Sequence, residues 1–182
     1  MVRKINLLII VLVAIVFVQC KSTSKTRKTK DIKKTENEKR ADAFFYHIYS
    51  KKLGYELAGN EDIDFLQMVD AWLGVPYKYG GCTREGTDCS CFVATFYKDF
   101  YKLDLPRKSE DMQKLSKEID TATMQSGDLV FFKIKSEKTS HVGIYISKKR
   151  FVHSTTSKGV MINSLEEKYY KTYFYKAGRI MQ

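Results

Sequence analysis

The 182-residue sequence predicts an α+β fold in which N-terminal helices pack on a C-terminal antiparallel β-sheet. Two observations carry that reading. Apolar residues recur at helical spacing between residues 62 and 100, whereas after Gly127 they gather into short β-rich segments divided by turn residues. An apolar content of 43% suits one compact core, residues 62–182, with extra chain before it.

In chain order, residues 1–19 join a short basic start to an apolar run from Leu7 to Val18. Such a run is shorter than the about 20 residues needed to cross a bilayer, so it reads as a secretory signal. It ends on Cys20 and lacks a small-x-small cleavage site, and in this it resembles a bacterial lipoprotein signal. That resemblance makes Cys20 the lipidated N-terminus of the mature chain, although Phe17, Val18 and Gln19 depart from the usual residues. The expected location is the cell envelope, lipid-anchored to a bacterial membrane, with the outer membrane, periplasmic side, as first choice.

The net charge of +11 is concentrated near that end: Arg3 and Lys4 supply +2, residues 21–40 supply +6, and the remainder only +3. With no zinc-finger or aromatic-basic RNA motif beside it, this charge fits a tether near an anionic surface, and no nucleic-acid partner is expected. Residues 20–40 hold one aliphatic side chain, Ile32, and read as a lipidated Cys followed by a flexible basic linker. Residues 41–61 regain Phe44, Phe45, Tyr46, Tyr49, Leu53 and Leu57 and read as a docking segment, a short helix or an edge segment.

From Asp62, the spacing of Ile63, Leu66, Val69 and Leu73 predicts a helix ended by Pro76. The loop to Asp88 carries Gly80, Gly81 and Gly86. A second helix starts at Cys89, with Phe92, Val93, Phe96 and Phe100 on its apolar stripe. Thr87 or Asp88 can cap it, and the free first-turn amides and the helix dipole favour thiolate over thiol at Cys89. After Leu105–Ser109 a polar amphipathic stretch runs to Thr123. Strands are expected at Leu129–Ile134, His141–Ile146, Phe151–Ser154, Val160–Asn163 and Tyr173–Ile180.

Of the three histidines, His47 precedes the domain, while His141 and His153 sit on consecutive strands joined by Ser147-Lys148-Lys149-Arg150. Hairpin strands lie about 5 Å apart, and Gly143 on the His141 face leaves space for a ring reaching across from His153. A thiol nucleophile needs a base, and the base needs a third polar group to orient it. Cys89, His141 and His153 fill those roles in order.

Six segments then carry a resemblance: Pro76-Tyr77-Lys78-Tyr79-Gly80-Gly81, Thr87-Asp88-Cys89-Ser90, Leu105-Pro106-Arg107-Lys108-Ser109, Gly127-Asp128-Leu129-Val130-Phe131-Phe132, His141-Val142-Gly143-Ile144-Tyr145 and Phe151-Val152-His153-Ser154. In that order they resemble the papain-like cysteine peptidases of the NlpC (new lipoprotein C) family, over about residues 62–180. The resemblance implies a papain-like fold and hydrolysis of peptidoglycan peptides through a thioester acyl-enzyme. Cys89 would be the nucleophile, His141 the base and then the acid, and His153 its orienting residue. Tyr77 and the Cys89 amide would serve the oxyanion, and Tyr79, Asp88, Ser90 and Ser109 would contact substrate. It implies a monomer with no cofactor and no metal.

One departure stands out: Cys91 occupies a position that is usually Gly in that family. With Cys82 and Cys89 it raises a metal or redox reading, but structural zinc sites favour Cys-x-x-Cys pairs and a Cys89–Cys91 disulfide would be strained. A Cys82–Cys91 disulfide suits an oxidising compartment. Two other readings remain open: an amidase or acyltransferase with the same core, or a non-catalytic lipoprotein that binds wall peptide.

Overall fold

The computed structural model describes residues 35–181; Cys20, the signal segment and most of the basic linker lie outside them. The linker stretch gives way to regular structure before residue 40. Thr35 opens helix α1 (Glu36–Leu53) with a capping box, its hydroxyl accepting from Glu38 N and its own amide donating to the Glu38 carboxylate. The polar composition that read as linker is thus in part the exposed first turns of a helix. The next turns dock: Phe45, Tyr46 and Tyr49 pack against the core, Leu53 is buried, and Lys52 pairs with Asp70 at 2.6 Å.

Asp62 caps α2 (Ile63–Trp72) by accepting from Phe65 N, and Phe65, Leu66, Val69 and Trp72 form its buried face. This helix stops before Pro76 because Gly74 turns the chain at φ +80°, sending its N–H to Val160 O at 2.9 Å. A small hairpin follows, β1 (Cys82–Thr83) with β2 (Gly86–Thr87), an element that two-residue strands cannot announce in sequence. Arg84 at its tip stacks 3.6 Å over the Trp72 ring and donates to Ala71 O, holding the hairpin on α2.

Helix α3 (Cys89–Tyr101) is the central helix, burying Phe92, Val93, Phe96 and Tyr97; Phe92 meets Trp72 edge-on at 5.3 Å. The stretch to Thr123 resolves into α4 (Ser109–Leu115), a short strand β3 (Lys117–Ile119) and one 3₁₀ turn. Strands β4 (Leu129–Phe132), β5 (His141–Tyr145), β6 (Arg150–Thr155) and β7 (Gly159–Ser164) follow, then a short α5 (Lys168–Tyr173) and β8 (Phe174–Arg179). The five strands expected after Gly127 are therefore present within a residue or two, and β3 and α5 are additions. All pairings in the six-stranded sheet are antiparallel, in the order β3-β8-β4-β5-β6-β7.

Alternation along the strands gives the sheet two apolar faces. Leu129, Phe131, Val142, Ile144 and Val152 join the core under α2 and α3, whereas Val130, Phe132, Tyr145 and Phe151 pack with Tyr170 of α5. Gly127, at φ +96°, enters β4 where a Cβ would lie 2.0 Å from the Tyr101 hydroxyl. Beside it, Asp128 forms a two-pronged pair with Arg179 of β8, each contact 2.7 Å.

Candidate active site

The nucleophile candidate is placed by the turn that precedes it. Thr87 N donates to Pro76 O, and Ser154 Oγ reaches from β6 to donate to Thr87 O at 2.8 Å, so the sheet fixes the entry to α3. Asp88, and not Thr87, is the cap: its Oδ1 accepts from Cys91 N at 2.9 Å. Cys82 and Cys91 form a disulfide with Cα atoms 5.2 Å apart, linking β1 to the first turn of α3. The thiol at the usual Gly position is thus absorbed by a cross-link, which also withdraws both sulfurs from metal ligation. Cys89 is the free cysteine among the described residues.

The two histidines meet, as the hairpin allows when they share a face. His141 Nε2 lies 2.7 Å from His153 Nδ1, with the rings edge-to-face. A Cβ on Gly143 would sit 3.1 Å from His153 Cβ and 2.7 Å from the Phe151 ring, so the bare backbone there admits the second imidazole. His153 is wholly buried, and its other nitrogen, Nε2, lies 2.9 Å from Asn163 Oδ1 on β7. Tyr77, Cys89, Ser140, His141 and His153 line one cavity of about 370 Å³. A second cavity shares Tyr77, Cys89 and Ser140 and adds Tyr79, Asp88, Ser90, Arg107 and Ser109. All eight domain residues singled out in the sequence therefore border this pair of cavities.

Several of those side chains are already engaged. Asp88 also accepts from Gly80 N and Ser90 Oγ, and forms a forked pair with Arg107, which donates to Ser90 Oγ at 2.8 Å as well. Ser109 Oγ donates to Thr139 O. Tyr79, by contrast, is 90% exposed and free to meet a ligand. Arg107 and Asn163 join the site only in the structure. Arg107 sits within a quoted motif, but nothing in the sequence pairs it with Asp88 across 19 positions; Asn163 is recognisable only once the β6–β7 register is known.

Electrostatics correct one expectation. Burial pushes the Cys89 thiol up, and Asp88 adds to this, while the Val142 amide and the helix-start amides oppose it without prevailing. Burial drives His153 down to about 4, against the Asn163 hydrogen bond and the nearby Glu167 charge. Burial, then the second ring, holds His141 well below its ordinary 6.5. All three displacements favour the neutral forms, a thiol and two neutral imidazoles. For Asp88 burial works upward, but the Arg107 guanidinium and the Cys91 and Gly80 amides hold the carboxyl below its ordinary range.

Residues 74–179 match the NlpC/P60 family. The probable endopeptidase NlpC of Escherichia coli (strain K12) is 44% identical over 113 residues, 62% of this chain and 73% of that protein. The murein DD-endopeptidase MepS/murein LD-carboxypeptidase of the same strain is 41% identical over 110 residues, 60% of this chain and 58% of that protein. Among solved structures, an NlpC/P60 family protein from Bacillus cereus ATCC 10987 superposes with a TM-score of 0.60 at 30% identity, covering 65% of this chain and 40% of that one.

Proposed function

The chain belongs to the NlpC/P60 family, and from that premise we propose that it is a peptidoglycan endopeptidase, a cysteine peptidase cutting stem peptides or their cross-links. The observation that carries the proposal is the junction of Cys89, at a helix start, with the hydrogen-bonded His141–His153 pair on one cavity wall. In the reaction, His141 Nδ1, the nitrogen not facing His153, takes the thiol proton as sulfur attacks the peptide carbonyl. The oxyanion forms beside the Cys89 amide and Tyr77. His141 then protonates the departing amine, leaving a thioester that water hydrolyses with His141 again as base. The upward displacement of the thiol favours proton transfer together with attack over a preformed ion pair.

Lipidation at Cys20 would hold the enzyme on an envelope membrane, with the basic stretch of residues 21–34 next to its anionic surface. The relatives named as murein endopeptidases support the substrate class. The test uses the full chain in detergent with purified cross-linked peptidoglycan and with isolated disaccharide peptides, products being identified by mass spectrometry beside Cys89→Ala. Conversion of dimers to monomers, or shortening of free stem peptides, only with the intact cysteine is the expected result. No product from either substrate overturns the proposal in favour of a wall-peptide binder.

A further inference from the structure

The polar chain does not end at the second histidine. Asn163 Nδ2 donates to Glu167 Oε2 at 2.8 Å, while Glu167 Oε1 accepts from Ser164 N at 2.7 Å. Glu167 is exposed, yet both of its oxygens are held by neighbours on the turn between β7 and α5.

The hydrogens follow from what each group can do. A carboxylate only accepts, so the Asn163 amide must turn its NH₂ toward Glu167 and its Oδ1 toward His153 Nε2. An amide oxygen only accepts, so His153 carries its proton on Nε2. In a neutral ring the other nitrogen, Nδ1, is then an acceptor, and His141 Nε2 at 2.7 Å must be the donor. One lone pair is left over, on His141 Nδ1. We propose that Asn163 and Glu167 are positioning residues that set, through the His153 ring, which nitrogen of His141 is free to take a proton. The consequence for catalysis rests on the peptidase reading; the tautomers themselves do not.

Glu167→Gln tests this with nearly no change of shape. The new amide has one acceptor where the carboxylate had two. If its oxygen stays on Ser164 N, its NH₂ faces Asn163, which turns over and presents NH₂ to His153 Nε2. Every hydrogen along the chain then reverses, and His141 Nδ1 becomes protonated. Long-range ¹H–¹⁵N spectra of the histidine-labelled full chain in detergent read this directly, without substrate.

The wild type should show both rings protonated on Nε2, and Glu167→Gln should move His141 toward Nδ1–H. Release of monomers from cross-linked peptidoglycan should fall in kcat by about tenfold or more; a wrong histidine tautomer costs serine peptidases about 10⁴-fold. The double variant Asn163→Asp, Glu167→Gln exchanges the two groups: the new carboxylate accepts from His153 Nε2 and from the new amide, whose oxygen keeps Ser164 N. It should restore the wild-type tautomers and most of the rate. Unchanged tautomers in Glu167→Gln, or no recovery in the exchanged pair, would overturn the inference. An inactive wild type whose tautomers still respond would overturn only the peptidase reading.

Discussion

Acid should destabilise this protein earlier than its carboxylates can explain. His153 is wholly buried, and burial lowers it from 6.5 to about 4. Between those values the unfolded chain binds a proton that the folded chain refuses, so the stability is fully present above 6.5 and is lost as pH falls through about 4. A gap of about two and a half pH units at about 1.4 kcal/mol each gives about 3 kcal/mol, out of the ~5–15 kcal/mol typical of a domain. His141 is displaced in the same direction and adds to the loss, though two rings 2.7 Å apart do not gain protons independently. Asp88 and Glu61 are held below ordinary values of 3.8 and 4.5, so their contributions are lost only lower on the scale. The window from about 6.5 to 4.5 therefore belongs to the histidines. Urea unfolding of the full chain at half-unit pH steps, beside His153→Gln, measures it. The wild type should lose about 1.4 kcal/mol per pH unit or more there, and the variant distinctly less. A flat wild-type curve, or equal slopes in the two proteins, would refute the placement of His153 as a buried neutral ring.

Gly143→Ala should cost about 1–3 kcal/mol in chemical denaturation, because its methyl would meet Val152 O at 2.9 Å and the Phe151 ring at 2.7 Å. Since it also presses on His153, activity should fall further than stability alone accounts for. Opening the Cys82–Cys91 disulfide with Cys82→Ser frees a loop with a sequence separation of 9. Chain entropy for so short a loop gives about 2–3 kcal/mol, to be read as a lowered melting temperature that added reductant does not lower further.

Much of the site was legible because it is written in local patterns. A capped helix start announces Cys89, and two β-rich segments with one short connector allow the histidines to meet if they share a face, which the β5–β6 register then decides. The sequence also contained the reason they fit, since Gly143 falls two residues from His141 on the same face. What could not be read was pairing at a distance. Arg107 reaches Asp88 from a loop, and Asn163 meets His153 through a strand register that fixes His153 opposite Met161. Strand β3 has one apolar residue in three and exists because β8 offers it a backbone edge. The start of α1 was hidden because capping, not apolar periodicity, determines it. Thiol ionisation differs for another reason: Cys89 is half-buried, and the desolvation this brings outweighs the helix start, which sequence does not show.

That burial leads to a last prediction about how the cysteine is activated. At neutral pH a thiol displaced upward from 9.0 is about 1% thiolate or less, and His141, displaced downward, offers no cation to hold it. Alkylation of Cys89 by iodoacetamide should therefore climb through and beyond about pH 9, with no plateau near pH 5 to 6 such as a preformed thiolate–imidazolium pair gives. Asp88 is the charge opposing the thiolate, and its own charge is offset by the forked pair with Arg107. Asp88→Asn keeps an oxygen for the Cys91 amide but removes the negative charge and leaves the guanidinium unneutralised beside the sulfur. It should lower stability yet speed alkylation at pH 7. An alkylation rate that stays the same or falls in Asp88→Asn, with Cys91 still capped, would refute the place given to the Asp88 charge among the causes that disfavour the thiolate.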